Sequence, residues 1–289
     1  MNFDNQLEQV QDDHAVSRRG FAALTVAAGV AGVGGAAEAE VQIVETDVVI
    51  KTVDGACDAA LFHPAGKGSW PAVVMMPDAL GLRPVFRGMG RRLASAGYAV
   101  LVPNPFYRTR KAPVLEGSFD FTNPADRAKL GELRAPMTPD AIARDASAWI
   151  GFLDGQKVVN TKAKAGTVGY CMGGPMTVQA SAALPMRVGA SASFHGGGLV
   201  TDKPDSPHLL IPKLKARYYV GVADNDDKKE PLTKTALKDA FVAAKVPAKI
   251  EVYEGAMHGW CVPGSPVYNQ PAAERAWGEL LALYKAALV

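Results

Sequence analysis

Cysteine is scarce in this 289-residue chain: three residues, Cys57, Cys171 and Cys261, with no C-x-x-C pair among them. That spacing excludes a dithiol-exchange motif, and no grouping of histidine, cysteine and aspartate has the spacing of a metal site. Charge of one sign is equally lacking. Lys and Arg number 31 against 29 Asp and Glu, a formal net charge of +2, with no basic block in the body of the chain. Nucleic acid therefore finds no electrostatic footprint. Long hydrophobic runs are missing too. The apolar stretch from Phe21 to Ala37 is short and weakly hydrophobic, below the roughly 20 strongly apolar residues of a membrane span. Repeats and low-complexity tracts are absent. What remains is 48% hydrophobic and 21% charged, enough apolar material for one large domain working on a small molecule.

The first 39 residues stand apart. "SRRGFAALTVAAGVAGVGGAAEAE" joins Arg18 and Arg19 to a stretch of Ala, Gly and Val and then to "AEA" at Ala37–Ala39. The order polar, apolar, small-residue site is that of a twin-arginine export signal cut after Ala39. Passage through the twin-arginine translocation machinery and a periplasmic mature chain follow from it. The alternative is a frayed cytosolic N-terminus.

Residues 40–289 alternate short apolar runs with helix-period segments, the pattern of an α/β fold with a mostly parallel sheet and helices on both faces. "VQIVETDVVIKTV" and "CDAALFHP" alternate as strands and predict a leading antiparallel hairpin. "WPAVVMMPD" is continuously apolar, as a strand buried on both faces should be. Helical periodicity follows over Arg83–Gly97, then strand "YAVLVPNPF". Residues 104–137 break the rhythm with prolines and scattered charge and predict a lid-like insertion over the sheet rim. Thr138 caps the next helix, with Pro139 at its first position, running to about Leu153. The remaining strands are "AGTVGY", "RVGASASFHG", "ARYYVGVAD" and "AKIEVYEG"; the remaining helices begin near Gly173, Leu232 and Ala272.

"TVGYCMGGPM" places Cys171 at a sharp bend between a buried strand and a helix. Glycines two positions before and after, Gly169 and Gly173, let the two elements approach without Cβ clashes, as a nucleophile elbow requires. The thiol would face the positive end of a helix, which favours thiolate. Downstream, "VGVADND" ends a strand with Asp224 and Asp226, and "EGAMHGW" follows the next strand with His258. Nucleophile, acid, histidine is the chain order of a hydrolase triad. Spacing from Gly221 favours Asp224 as the acid. In the corresponding reaction His258 holds or deprotonates the thiol, the thiolate attacks an ester carbonyl, and a thioester is hydrolysed. The backbone amides of Met172 and Ala79 would receive the oxyanion.

"PDALGLRPVFRGMGRRLASAGYAVLVPNPFYR", "GYCMGG", "ADND" and "MHGW" together resemble the dienelactone hydrolase family over nearly the whole chain after residue 39. The resemblance implies an α/β-hydrolase fold and opening of an unsaturated lactone, typically carboxymethylenebutenolide, by a Cys-His-Asp triad without metal or cofactor. It implies Cys171 as nucleophile, His258 as base, Met172 as oxyanion donor and Asp226 as the acid. Asp78 falls where members often carry a glutamate that helps activate the thiol, and its carboxylate is one methylene shorter. Members acting on dienelactone often carry an arginine four residues after the histidine; here Val262 stands there. Arg108, Arg110, Lys111 and Arg127 of the insertion are the candidate substitutes, but a basic lid residue is more often merely solvated, so acidic and neutral substrates are expected to be processed comparably.

Tyr107, Phe119 and Phe121 of the insertion are candidate substrate contacts, with core filling as the alternative. His195 in "SFHGGG" lies at a strand end, as a pocket residue or a hydrogen-bonded structural one. A bridge between Cys57 and Cys261 and two buried free thiols are both compatible with the sequence. Three rival functions keep the same fold: a broader carboxylesterase or thioesterase, a non-catalytic binding protein, and a thiol redox sensor.

Overall fold

The structure is a computed structural model that describes residues 41–115 and 119–288. The expected export segment, residues 1–39, lies outside them. Strands β1 (Ile43–Thr52) and β2 (Gly55–Pro64) form the predicted hairpin, in register from Ile43 opposite Pro64 to Thr52 opposite Gly55. Six further strands follow: β3 (Ala72–Met76), β4 (Ala99–Pro103), β5 (Ala165–Tyr170), β6 (Val188–Phe194), β7 (Arg217–Ala223) and β8 (Ala248–Tyr253). Their order across one sheet is β1-β2-β4-β3-β5-β6-β7-β8. From β4 to β8 all pairings are parallel, and β2 joins β4 antiparallel.

Period-two alternation divides the buried strands between two cores. In β3, Val73 and Met75 face helices α1 (Pro84–Ser95) and α7 (Gln270–Ala287), packed with Phe86, Leu93, Leu280 and Tyr284. Val74 and Met76 face α3 (Pro139–Asp154) and α4 (Gly173–Ala183), packed with Trp149 and Met176. On that second side, α6 (Leu232–Ala243) lays Leu237 and Phe241 on Tyr218 and Val220 of β7. Both faces of the sheet are therefore covered at its centre, which is why β3 and β4 read as unbroken apolar runs. Thr138 caps α3 as expected, its hydroxyl accepting from the Ala141 amide.

Two helices escaped the sequence reading. The insertion contains α2 (Pro124–Arg134), capped by Asn123 and anchored by Leu130 and Leu133. A six-residue helix, α5 (Asp224–Lys229), starts directly where β7 ends.

Chain order and spatial order part company at β3. It pairs with β4 on one side and with β5 on the other, so the chain reverses its direction of travel across the sheet there. In open parallel sheets the loops at the carboxyl ends of strands flanking such a switch point diverge and leave a crevice. The loops after β3 and β5 carry Ala79 and Cys171.

Candidate active site

Cys171 is a non-glycine residue at φ 52°, the strained left-handed region that an elbow imposes. Close packing explains the flanking glycines. A Cβ on Gly169 would stand 2.0 Å from the Gly173 carbonyl oxygen, and one on Gly173 would stand 2.3 Å from that of Met76. The elbow is latched across the sheet: the Cys171 amide donates to both the Phe194 carbonyl and Nδ1 of His195, each at 3.1 Å.

His195 is itself at φ 41° and buried, and its amide donates to the Gly221 carbonyl. Because Nδ1 accepts, the ring proton of the neutral tautomer sits on Nε2, which has no partner among the described residues. Burial, and then the neighbouring His258, hold its pKa well below the ordinary 6.5. The two rings meet edge to face with centroids 5.1 Å apart. A neutral imidazole thus lies beside the one expected to carry charge.

His258 follows β8. Its amide donates to Oδ1 of Asn225, and its Nδ1 lies 2.6 Å from Oδ2 of Asp226, both residues of α5. Asp224 instead faces Lys228, at 2.7 Å one helical turn on. Spacing from Gly221 therefore misleads, and Asp226 is the carboxylate on the imidazole. Burial alone would lower the His258 pKa, but the Asp226 carboxylate and the Cys171 sulfur outweigh it and raise the value to about 10.

Cys171, Ala79, Phe121 and His258 line two adjoining cavities. The larger, about 980 Å³, continues past Met172 and Met176 to Gln179 of α4 and is closed by α2 and the start of α3. The smaller, about 500 Å³, extends toward Arg83, Phe119 and Pro263. The amides of Ala79 and Met172 donate to no protein acceptor among the described residues. The insertion aromatics Phe119 and Phe121 meet edge to face, and both line the smaller cavity together with Cys171.

Other expected residues are held by partners of their own. Asp78 borders the smaller cavity, but Arg83 grips both of its oxygens, at 2.6 and 2.8 Å, and the Leu80 amide adds a third bond. Held in this way, the carboxylate fixes the loop that carries Ala79. Tyr107 is buried against the hairpin, its hydroxyl bonded to Asp145 of α3 and Thr52 of β1, and it lines neither cavity. Buried Asp145 needs donors, and Tyr107 and Arg108 supply them. Arg108 is thereby occupied, and Arg110 donates to the Val114 carbonyl.

Cations do reach the larger cavity. Arg127 lines it, joined by Arg134 two helical turns along α2, and neither has an acidic partner among the described residues. The spacing Arg127, Leu130, Gly131, Arg134 marks one helix face and was the available signal for Arg134. Cys57 and Cys261 are free and buried, with no bridge between them. Burial pushes the Cys57 thiol up to about 12 and that of Cys261 well above its usual value. Among the described residues no group of three His, Cys, Asp or Glu side chains is arranged to hold a metal ion.

The family model described as "Dienelactone hydrolase family" matches residues 57–288. A carboxymethylenebutenolidase-like protein of Synechocystis is 27% identical over 232 residues, covering 79% of this chain and 91% of its own length. One from Methylorubrum extorquens is 26% identical and covers 96% of each chain. Among solved structures, a dienelactone hydrolase-like protein of Klebsiella pneumoniae superposes with a TM-score of 0.74 at 20% identity, covering 84% of this chain and 99% of its own.

Proposed function

The chain belongs to the dienelactone hydrolase family and is a hydrolase of that family, and from that premise we propose that it opens lactones or cleaves carboxylic esters through a thioester on Cys171. The observation that carries this reading is one cavity wall holding a strained cysteine, a histidine paired to a carboxylate at 2.6 Å, and two undonated amides.

In the proposed cycle Asp226 fixes the His258 ring with its Nδ1 proton toward the carboxylate, leaving Nε2 to serve Cys171. With a pKa near 10, His258 is the imidazolium at neutral pH, and its proton goes to the alkoxide that departs when the tetrahedral adduct formed by thiolate attack collapses. Before that collapse, negative charge gathers on the former carbonyl oxygen, where the Ala79 and Met172 amides can receive it. A water that gives its proton to the now neutral His258 next attacks the thioester, releasing the acid and restoring the thiolate beside protonated His258. Neutral His195 supports this step order, because a second cation beside His258 would oppose its protonation.

Carboxymethylenebutenolide is the substrate class suggested by the relatives. Arg127 and Arg134 give the cavity the charge to meet a carboxylate, a contact of about 1.5 to 3 kcal/mol, which corresponds to about ten- to a hundredfold in preference. These arginines weigh against equal handling of acidic and neutral substrates. The test compares kcat/KM for a dienelactone and its methyl ester, in the native chain and in Cys171→Ala. The reading requires turnover that Cys171→Ala abolishes while the fold persists; near-native turnover in that variant overturns it. The mature protein is further proposed to act in the periplasm, on the strength of Arg18, Arg19 and the small-residue site ending at Ala39.

A further inference from the structure

Helix α4 leaves the elbow with Met172, Met176 and Gln179 along one stripe, and all three line the larger cavity. The neighbouring wall is apolar, built from Leu130, Met137 and Ile142. Gln179 breaks that stripe. It is 6% exposed, and its Oε1 has no hydrogen-bond partner among the described residues. Other buried polar atoms also lack partners, such as Trp260 Nε1 and Ser193 Oγ, but Gln179 is the one whose side chain borders this cavity. A carboxamide oxygen withdrawn from water and left unpaired is costly in a purely structural position. Beside a substrate cavity, the missing partner is a group that the substrate brings.

We infer that Gln179 reads a neutral hydroxyl placed on the substrate away from the scissile carbonyl, so that the compound hydrolysed is a hydroxylated ester or lactone longer than a bare five-membered ring. The inference rests on the reading of Cys171 as the nucleophile of this cavity. Length follows from the helix: Gln179 stands two turns beyond the elbow, about 10 Å along the axis at 1.5 Å per residue. The volume, about 980 Å³, lies at the upper end of the roughly 300–1,000 Å³ usual for small-molecule sites. A compound that ended at the lactone ring would leave the carboxamide bare. Charge type follows from the donors present. A carboxylate finds Arg127 and Arg134 on α2, whereas a hydroxyl both donates and accepts and so satisfies either orientation of the carboxamide.

The experiment uses the full chain and two matched ester pairs. One pair differs by a terminal hydroxyl against a methyl group on an acyl chain of about six carbons, the length that spans the gap; the other carries the same change in the alkoxy chain. In at least one pair the native protein is expected to favour the hydroxyl by about tenfold or more in kcat/KM, since a site built to pair a hydroxyl rejects the analogue without it. Gln179→Met, close in length and unbranched, should lose that preference. Gln179→Asn, which draws the carboxamide back by one methylene, should move the preferred hydroxyl about one carbon along the chain, a displacement that a packing role would not produce. Thermal melts establish that both variants fold, and the native ester pairs decide the matter even if they do not. Equal rates for hydroxyl and methyl in both pairs, with turnover still dependent on Cys171, overturn the inference and leave the nucleophile reading intact. Turnover that persists in Cys171→Ala overturns both.

Discussion

Replacing Asp226 by Asn removes one negative charge 2.6 Å from His258 Nδ1 while keeping the size of the side chain. The carboxylate is one of two groups that raise the imidazole pKa from 6.5 to about 10, the Cys171 sulfur being the other. A charge-assisted hydrogen bond is worth about 1.5 to 3 kcal/mol, and each 1.36 kcal/mol is about one pKa unit. Loss of the charge should therefore lower the His258 pKa by about one to two units. Both side chains are about one-third exposed, so solvent screening places the effect toward the lower end. The sign is fixed. Asp226 stabilises the protonated ring, so its loss moves proton release to lower pH, and the alkaline limb of activity should retreat from about 10 toward 8 to 9. The assay is kcat/KM against pH for a neutral ester, with Asp224→Asn as the control because Asp224 faces Lys228. An unmoved limb in Asp226→Asn, or an equal shift in Asp224→Asn, refutes the assignment.

Three further outcomes are expected. His195→Asn keeps an acceptor near the former Nδ1 and tolerates φ 41°, whereas His195→Gln displaces the acceptor; esterase assays should find Gln impaired by about tenfold more than Asn, and equal impairment contradicts a latch on the Cys171 amide. Gly173→Ala drives a Cβ to 2.3 Å from the Met76 carbonyl and should cost about 1 to 3 kcal/mol or more, read as a lowered melting temperature; a native-like melt would show that the elbow can relax. Peptide sequencing of the mature chain should find its N-terminus at Glu40 in the periplasmic fraction, and an intact Met1 in the cytosol contradicts export.

Much of the fold was legible because its signals are local. Val73 to Met76 is continuously apolar since both faces of β3 are covered, and Thr138-Pro139 states the start of α3 outright. The elbow was legible for a similar reason, as Gly169 and Gly173 record a steric demand in sequence. Helix α5 left no trace because "DNDDKK" has no apolar residue to set a period, and this is why Asp224 and Asp226 competed on sequence alone. Helix α2 was hidden among the prolines and charges of the insertion, although Asn123-Pro124 is a start signal. Tyr107 was misplaced because its position depends on Asp145, a buried carboxylate on another helix. His195 and Gln179 depend on contacts between strand ends and on an apolar wall that no single segment encodes.

In the proposed reaction Cys171 carries the acyl group. Rapid acid quench during turnover of a slowly deacylated ester, followed by peptide mass analysis, tests it directly. The acyl increment is expected on the peptide containing Cys171 and not on Cys57 or Cys261, whose thiols burial keeps protonated. An increment on any other residue, or a pre-steady-state burst with Cys171 unmodified, contradicts it.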